Sequence, residues 1–519
     1  MWNGATLQRP TYRLSSGLFL RLLGLVYFFA FLSLGLQIDG LVGEHGILPI
    51  GEHLSQLKAY NESLAEPGWL PWRYPTLAWV SSADGFLTGI AVTGAVLSLL
   101  LVGGLLPVPI LVALWILYLS LLVAGQTFLS FQWDILLLEA GFLAIWMAPL
   151  ALRSSLASAR EPPRLALWLV WWLLFRLMLE SGAVKLTWDN LYPPEALGPN
   201  GNTWEDLTAL TYHYTTQPLV LWTSWFAAKL PIWFQKCSVV AVILIEIGLP
   251  FFLFGPRLLR RIAFAGFAFL MLVIGATGNY NFFNLLTVAL ALTLLDDDAW
   301  PRVLRARLPR ADGPEPSFRG HLDKARRMLL LPFALLVVLI SAPQVRNAVW
   351  PRDFEQRSPR LESRLGIRQF HLVNSYGLFR HMTETRPEIV IEGSVDGVAW
   401  KAYDFRWKPG EPAARPRFTG PHQPRLDWQM WFEALHMEQV HRQLGTVPLS
   451  TSSPWFRRFV ERLAEAEPSV LALLDDDPFS GEPPRHLRIA LYQYRFTTAE
   501  EKRQTAHWWH RELVWRGRV

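Results

Sequence analysis

The chain has 519 residues, 51% of them hydrophobic and only 18% charged, with a net charge of +6 and 25 tryptophans. That balance excludes an ordinary soluble globule and points to a membrane protein with a polar part attached, since indole collects at membrane interfaces. The single cysteine, Cys237, excludes an internal disulfide framework and any multi-thiolate metal site. The positive charge does not read as a nucleic-acid footprint, because the basic residues cluster beside apolar segments and form no stripe with interleaved aromatics.

In chain order, mostly apolar segments of about 20 residues, the length a bilayer crossing needs, fall near 15–37, 85–106, 108–130, 131–151, 164–186, 237–255, 260–277, 280–296 and 328–343. The first lacks a small-residue cleavage site, which predicts a retained span and not a removed signal. The run LVLWTSWFAAKLPIWF, 219–234, suits an interfacial or re-entrant helix. Basic clusters test the count: Arg9 with Arg13, Arg153–Arg164, Arg257–Arg261 and Arg302–Arg327. With an inside amino terminus and nine crossings, all of them face the cytoplasm. The loops 38–84 and 187–236 then face outward, as does everything after residue 343.

The expected architecture is therefore a polytopic α-helical membrane protein of about nine spans, with residues 1–344 as the transmembrane domain and 345–519 as an extracytoplasmic α+β domain. A Pro-rich linker is read at 309–316. In the second domain PEIVIEGSVDGVAWKAYDFRW alternates with a period near two around Asp396 and Gly397, a hairpin signal. Together with HLRIALYQYRF, 486–496, it predicts a β-sandwich-like strand region. Helices are expected at 428–443 and at 454–474, the latter opening with Ser453 as cap before Pro454.

Charges inside the spans are the feature that composition does not explain. In LFRLMLESGAVKLTWDN, Arg176 and Glu180 are four apart, share a helix face and can pair. Lys185 falls near the outer end, where its stem can snorkel to water. FQWDILLLEAGFLAIW adds Asp134 and Glu139, and VVAVILIEIGLP adds Glu246. Each of these needs a partner or a proton in a low dielectric. Two readings stay open: one polar cavity gathering the carboxylates with Arg176 and Lys185, or separate ties between helices. His213, between two tyrosines in TYHYTTQP, is structural or catalytic, so the catalytic candidates are Lys185, Glu180, Arg176 and His213. GATGNYNFFN puts Asn279, Asn281 and Asn284 around an aromatic pair, for hydrogen bonds across helices or for a binding cavity.

The absence of a P-loop, a dinucleotide fingerprint, HExxH and GxSxG argues against an ATP-driven pump and against a lipase. Neither a cofactor nor a metal is expected. No pair of matched broken spans suggests a transporter.

WDILLLEAGFLA, WLLFRLMLESGAVKL, TWEDLTALTYHYTTQPL, LPIWFQK, GNYNFFN, NSYGLFRHMTETRPEIVIEGS and PRLDWQMWF together resemble the lipase maturation factor family, from about residue 14 to past 500. The resemblance implies a multispanning protein that helps dimeric secreted lipases reach their active fold and is not itself a lipase. In animals such proteins reside in the endoplasmic reticulum membrane, with the carboxy-terminal domain in the lumen. It makes Tyr376, Phe379, Arg386, Arg425, Asp427, Trp428 and Trp431 candidates for client or domain contacts, with helix-core packing as the alternative for the LDWQMWFEAL residues. SGAVKLTWD is also similar to the segment of the vitamin K-dependent γ-carboxylase membrane domain that carries its catalytic lysine, with Lys185 at the matching place.

The chain is thus read as a folding or assembly aid for exported proteins such as lipases, whose partners are an exported client and membrane lipid but no nucleic acid. The rival is an integral-membrane enzyme acting on a lipidic or quinone-like substrate in a cavity around Lys185. Its arginine-heavy, lysine-poor composition fits a bacterial inner membrane, with the endoplasmic reticulum membrane as the eukaryotic counterpart.

Overall fold

The structure is a computed structural model that describes residues 10–156, 161–189, 201–305, 317–351 and 361–518. The linker read at 309–316, Arg9 and parts of the loop 187–236 and of two basic clusters lie outside these residues. Among the described residues seven helices are long and apolar enough to cross a membrane: α1 (Arg13–Gly35), α2 (Asp84–Val102), α3 (Pro107–Ala124), α4 (Arg164–Thr187), α5 (Ile232–Phe254), α6 (Arg257–Thr277) and α7 (Lys324–Val349).

Two of the nine expected crossings are shorter. Gln132–Met147 has 16 residues and Phe282–Leu292 has 11, about 24 and 17 Å at 1.5 Å per residue against a hydrocarbon core of about 30 Å. Among the described residues, seven of the nine expected spans therefore have full crossing length. Most side chains of both short helices are buried within the protein, so lipid thickness does not set their length.

The bundle has two chemically different ends. At one, Asp297 accepts the backbone N–H groups of Arg13 and Leu14 (3.3 and 3.0 Å), placing a carboxylate at the start of α1. Arg257 and Arg261 pair with Asp296 there (3.3 and 2.7 Å), and Arg326 donates to the carbonyls of Trp146 and Ala148, both at 2.7 Å. At the other end, the loops read as outward meet the C-terminal region: Arg458 reaches Glu52 at 3.0 Å, Trp72 donates to Gly366 O at 2.9 Å, and Trp225 donates to Thr497 O at 3.0 Å.

Glycines set how closely α1 packs. A methyl on Gly94 would lie 2.4 Å from the Phe31 ring, one on Gly24 would lie 3.1 Å from Ser98 O, and one on Gly141 would lie 2.0 Å from the Tyr27 hydroxyl. Small residues take the place of side chains at these crossings, as is common between membrane helices.

The C-terminal region carries one antiparallel sheet of β1 (Pro387–Ser394), β2 (Lys401–Ala402), β3 (His486–Phe496) and β4 (Trp509–Arg518), in the order β2-β1-β3-β4. The expected hairpin forms: Glu392 pairs with Ala402, Asp396 Oδ1 accepts the Val398 and Ala399 amides at 2.8 Å, and Gly397 sits at φ +75°. The sandwich expectation is corrected. Among the described residues the strands form one sheet, and the layer against β1 and β3 is the helix Arg425–Leu444. The expected helix 454–474 is two pieces, Pro454–Ala464 and Pro468–Leu471, because Ala466 has φ +52° and the ring of Pro468 cannot continue the first helix.

Gly94→Leu cannot be seated without parting α1 from α2, so it is expected to abolish monodisperse protein on detergent extraction, read by size-exclusion chromatography. Gly89→Leu, on the same helix but with nothing within 4 Å of an added Cβ, is expected to behave as wild type.

Candidate functional site

A polar seam runs between the C-terminal region and the helix ends beneath it, and it gathers most of the charged membrane residues. Asp134 sits at the start of the short helix Gln132–Met147 and is buried. It receives both guanidinium nitrogens of Arg425, at 2.6 and 2.7 Å, and the Tyr118 hydroxyl at 2.6 Å. A planar fork on a planar carboxylate is the geometry that makes arginine the cation of choice for a buried pair. The Arg425 backbone N–H is held in turn by Gln37 Oε1 at 2.8 Å, from just past α1.

One turn further into the same helix, Glu139 forms the second knot. Arg176 of α4 is fully buried, makes its salt bridge to Glu139 and donates to Asn374 O at 2.7 Å. Glu139 Oε2 also accepts the Asn374 amide (2.9 Å), its side-chain Nδ2 (3.1 Å) and the Tyr376 hydroxyl (2.8 Å). Glu180 accepts the Tyr376 backbone N–H at 2.6 Å. Arg176 and Glu180 do share a helix face, but the salt bridge of Arg176 is made to the neighbouring helix, which is a correction to the expected pairing along α4.

Lys185 forms a third knot. Its side chain is buried, not at a wet edge, and its ammonium meets Glu246 at 2.6 Å, Ser181 O at 3.1 Å and the Trp204 ring at 5.1 Å. The expected snorkelling is therefore corrected. Glu246 lies on a widened π-helical turn of α5, Leu244–Gly248, and Gly182 allows the close approach, since a Cβ there would lie 2.9 Å from Glu246 Cβ. His213 is close by, on the helix Ala209–Thr216, with its ring edge-on to Phe379 at 5.0 Å. Burial, and then the Lys185 cation, push His213 down to about 4.

Of the two readings left open by spacing, these contacts fit separate ties between helices. Asp134, Glu139 and Glu246 each have a separate cation and tie separate elements, and no shared polar cavity around Lys185 is needed to satisfy them.

The asparagines continue the seam. Asn279 donates to Val220 O (3.3 Å) and Arg417 O (3.0 Å) and accepts the Thr419 amide (3.0 Å). Asn281 donates to His422 O (2.6 Å) and Gln423 Oε1 (2.8 Å) and accepts the Thr419 hydroxyl (2.9 Å). Asn284 stands apart from them, with its Nδ2 3.2 Å from where a Cβ on Gly275 would be.

The residues offered for client contact are largely inside this interface. Tyr376, Arg386, Arg425, Asp427, Trp428 and Trp431 are all 9% exposed or less. Arg386 donates to the carbonyls of Thr215, Gln217 and Pro218 (2.7, 2.5 and 3.1 Å) and pairs with Glu388 at 2.8 Å. Trp431 donates to Thr216 O at 2.8 Å, while Trp428 packs against Trp133 and Phe131, with centroids 4.7 and 5.8 Å away. Asp427 accepts the Trp407 amide at 3.1 Å and is pushed up to about 6 by burial, with Lys408 opposing. Phe379, at φ +52°, gives its carbonyl to Trp204 Nε1 at 2.9 Å. Of the two contacts expected of these residues, the six buried ones make the contact between the two parts of the chain.

The blocks that carry the family resemblance thus meet along one seam, and comparison with known proteins bears on both sides of it. The description "Lipase maturation factor transmembrane domain" matches residues 14–302, and "Lipase maturation factor C-terminal domain" matches 372–516. The chain belongs to the lipase maturation factor family. It is 37% identical to lipase maturation factor 2 of Mus musculus, over 97% of this chain and 82% of that protein. It is similarly 37% identical to lipase maturation factor 2 of Gallus gallus, over 96% and 80%. Lipase maturation factor 1 of Mus musculus is 31% identical, over 98% and 87%. No solved structure matches.

Several seam residues escaped the sequence reading: Ser33, Gln37, Asn374, Thr419 and Gln423. Ser33 Oγ accepts the Gln423 amide at 2.7 Å. The available signal was a polar side chain in the last turn of an apolar span, and Asn374 in the NSYG block. Neither identifies its partner, nearly 400 residues away for Gln37 and Arg425.

Breaking one side of a buried pair leaves the other charge stranded, at about 3–5 kcal/mol. Arg425→Met is expected to lower thermal stability by that order in detergent, and Asp134→Leu with Arg425→Met to recover a large part of it.

Titration supplies a second test. Asp427 has a raised folded pKa, so its contribution is full below about pH 4 and is lost as pH rises through about 6. Asp427→Asn is expected to raise the melting temperature at pH 7.5, with the gain vanishing below pH 4. His213 runs the other way: its contribution is present above about pH 6.5 and lost as pH falls through about 4. His213→Gln is expected to blunt acid sensitivity in that window.

Proposed function

We propose that this chain is a membrane-held maturation factor that assists the folding or assembly of exported proteins, with lipases as the client class suggested by the names of its relatives. The observation that carries the reading is the seam itself. Both parts of the family are present, and the buried ion pair Arg425–Asp134 joins them. A bundle tied in this way to the C-terminal region serves as anchor and scaffold, holding that region at a set height above the bilayer. The client is met by exposed faces of the C-terminal region, since the aromatic and arginine side chains of the family blocks are internal.

In this reading residues 1–344 form the membrane domain and 345–519 the exported one. The short helices Gln132–Met147 and Phe282–Leu292 complete nine passes. The basic end faces the cytoplasm and the C-terminal region lies on the far side of a bacterial inner membrane. Positive charge at one end of the bundle, in Arg257, Arg261 and Arg326, supports this orientation.

The test is the specific activity, per unit of secreted antigen, of the host's exported lipases in a deletion strain. Deletion is expected to lower it, and wild type and the double variant Lys185→Met with Glu246→Leu are both expected to restore it. Restoration by wild type alone, with the double variant accumulating normally, would show that the Lys185–Glu246 pair takes part in chemistry. No effect of deletion would overturn the proposal.

A further inference from the structure

The short helix Trp222–Ala227 lies across the outer end of α6. Ser224 Oγ donates to Thr277 O at 2.6 Å and Thr223 Oγ donates to Ala276 O. The C-terminal region comes down onto the same turn, through the bonds of Asn279 to Arg417 O and to the Thr419 amide, both 3.0 Å. The segment Ala414–Phe418 is thereby fixed at the level where α6 leaves the bilayer.

The surface at this place changes character in a definite order. Along α6 the apolar side chains Phe269 and Leu272 point outward, 59% and 69% exposed, on the face a bilayer would cover. Above them come Trp222, Phe226 and Phe418, 36%, 52% and 61% exposed. A depression of about 520 Å³ is lined there by Trp222, Ala414, Arg415, Pro416, Arg417 and Phe418.

The charge in this depression is not balanced. Arg417 is tied to Asp475 at 3.1 Å. The Arg415 guanidinium lies 4.6 Å over the Trp222 ring and 5.9 Å from that of Trp508, and among the described residues no carboxylate pairs with it. A stacked guanidinium keeps its edge donors free for a planar or tetrahedral oxyanion. Tryptophan favours the headgroup level, and an exposed phenylalanine beside it favours the acyl chains. The apolar surface here is continuous with the lipid-facing side of a span, so the occupant is the bilayer and the anion is one the bilayer carries.

We propose that Ala414–Phe418 and the helix Trp222–Ala227 form a docking site for the phosphate of a phospholipid headgroup in the leaflet at this end of α6, with Arg415 as the ligand and Phe418 inserted beneath the headgroups. This goes beyond the maturation-factor reading and does not depend on it: it gives the C-terminal region its own contact with the membrane.

The experiment uses the full chain in nanodiscs. Replacing the single cysteine by Cys237→Ser allows a nitroxide at Phe418→Cys, to be compared with Leu272→Cys on the lipid face and Val398→Cys at a hairpin that is 81% exposed. The label at 418 is expected to be accessible to oxygen and shielded from a water-soluble nickel chelate, as at 272; nickel accessibility like that at 398 would overturn the proposal. In discs of phosphatidylcholine with phosphatidylglycerol, Arg415→Gln is expected to lower retention of phosphatidylglycerol, counted by native mass spectrometry, by about five-fold, the effect of one basic residue near an anionic surface. Arg415→Lys is expected to keep most of it. Unchanged retention in Arg415→Gln would overturn the phosphate assignment.

Discussion

An ionised carboxylate inside an apolar bundle is tolerable only if a cation meets it with good geometry, and this constraint organises the protein. Asp134, Glu139 and Glu246 are all buried and each meets a different cation: Arg425, Arg176 and Lys185. One of those cations comes from the C-terminal region, and Asn374 and Tyr376 of that region complete the shell around Glu139. The bundle therefore contains charges that only the C-terminal region can satisfy. Neither part is chemically complete alone.

The proposed function draws on that dependence. A C-terminal region hung on a flexible tether would sample many heights above the membrane. One locked through Arg425, Asn279, Asn281 and Arg386 has a fixed orientation relative to the spans. A protein that handles an exported client gains from such an arrangement, because the working face is presented at one distance from the lipid. The aromatic blocks help to build the joint.

The seam also explains the short helices. Gln132–Met147 and Phe282–Leu292 begin beside it, at Asp134 and Asn281, and are enclosed by neighbours for most of their length. A helix surrounded by protein can stop where its partners need it to stop. Helices facing lipid have no such freedom, and the more exposed long ones, such as α2, α5 and α6, keep a near-full apolar length.

Much was legible from the sequence alone. Apolar run length determined the long spans, because lipid imposes a minimum on any helix it touches. Period-two alternation with Asp396–Gly397 determined the hairpin, because only that turn chemistry fits the local backbone. The set of residues in the site was legible too, since charges in apolar runs stand out. Their pairing was not. Local spacing joined Arg176 to Glu180, whereas packing joined Arg176 to Glu139 and Arg425 to Asp134, at sequence separations of 37 and 291. Periodicity reports which side of a helix a residue occupies, but which helix stands opposite is set by close approach at glycines such as Gly94, Gly141 and Gly182 and by the docking of the C-terminal region. Only the tertiary structure decided that the candidate residues form a joint between two parts of the chain, because burial is a property of what covers a side chain and not of the side chain itself.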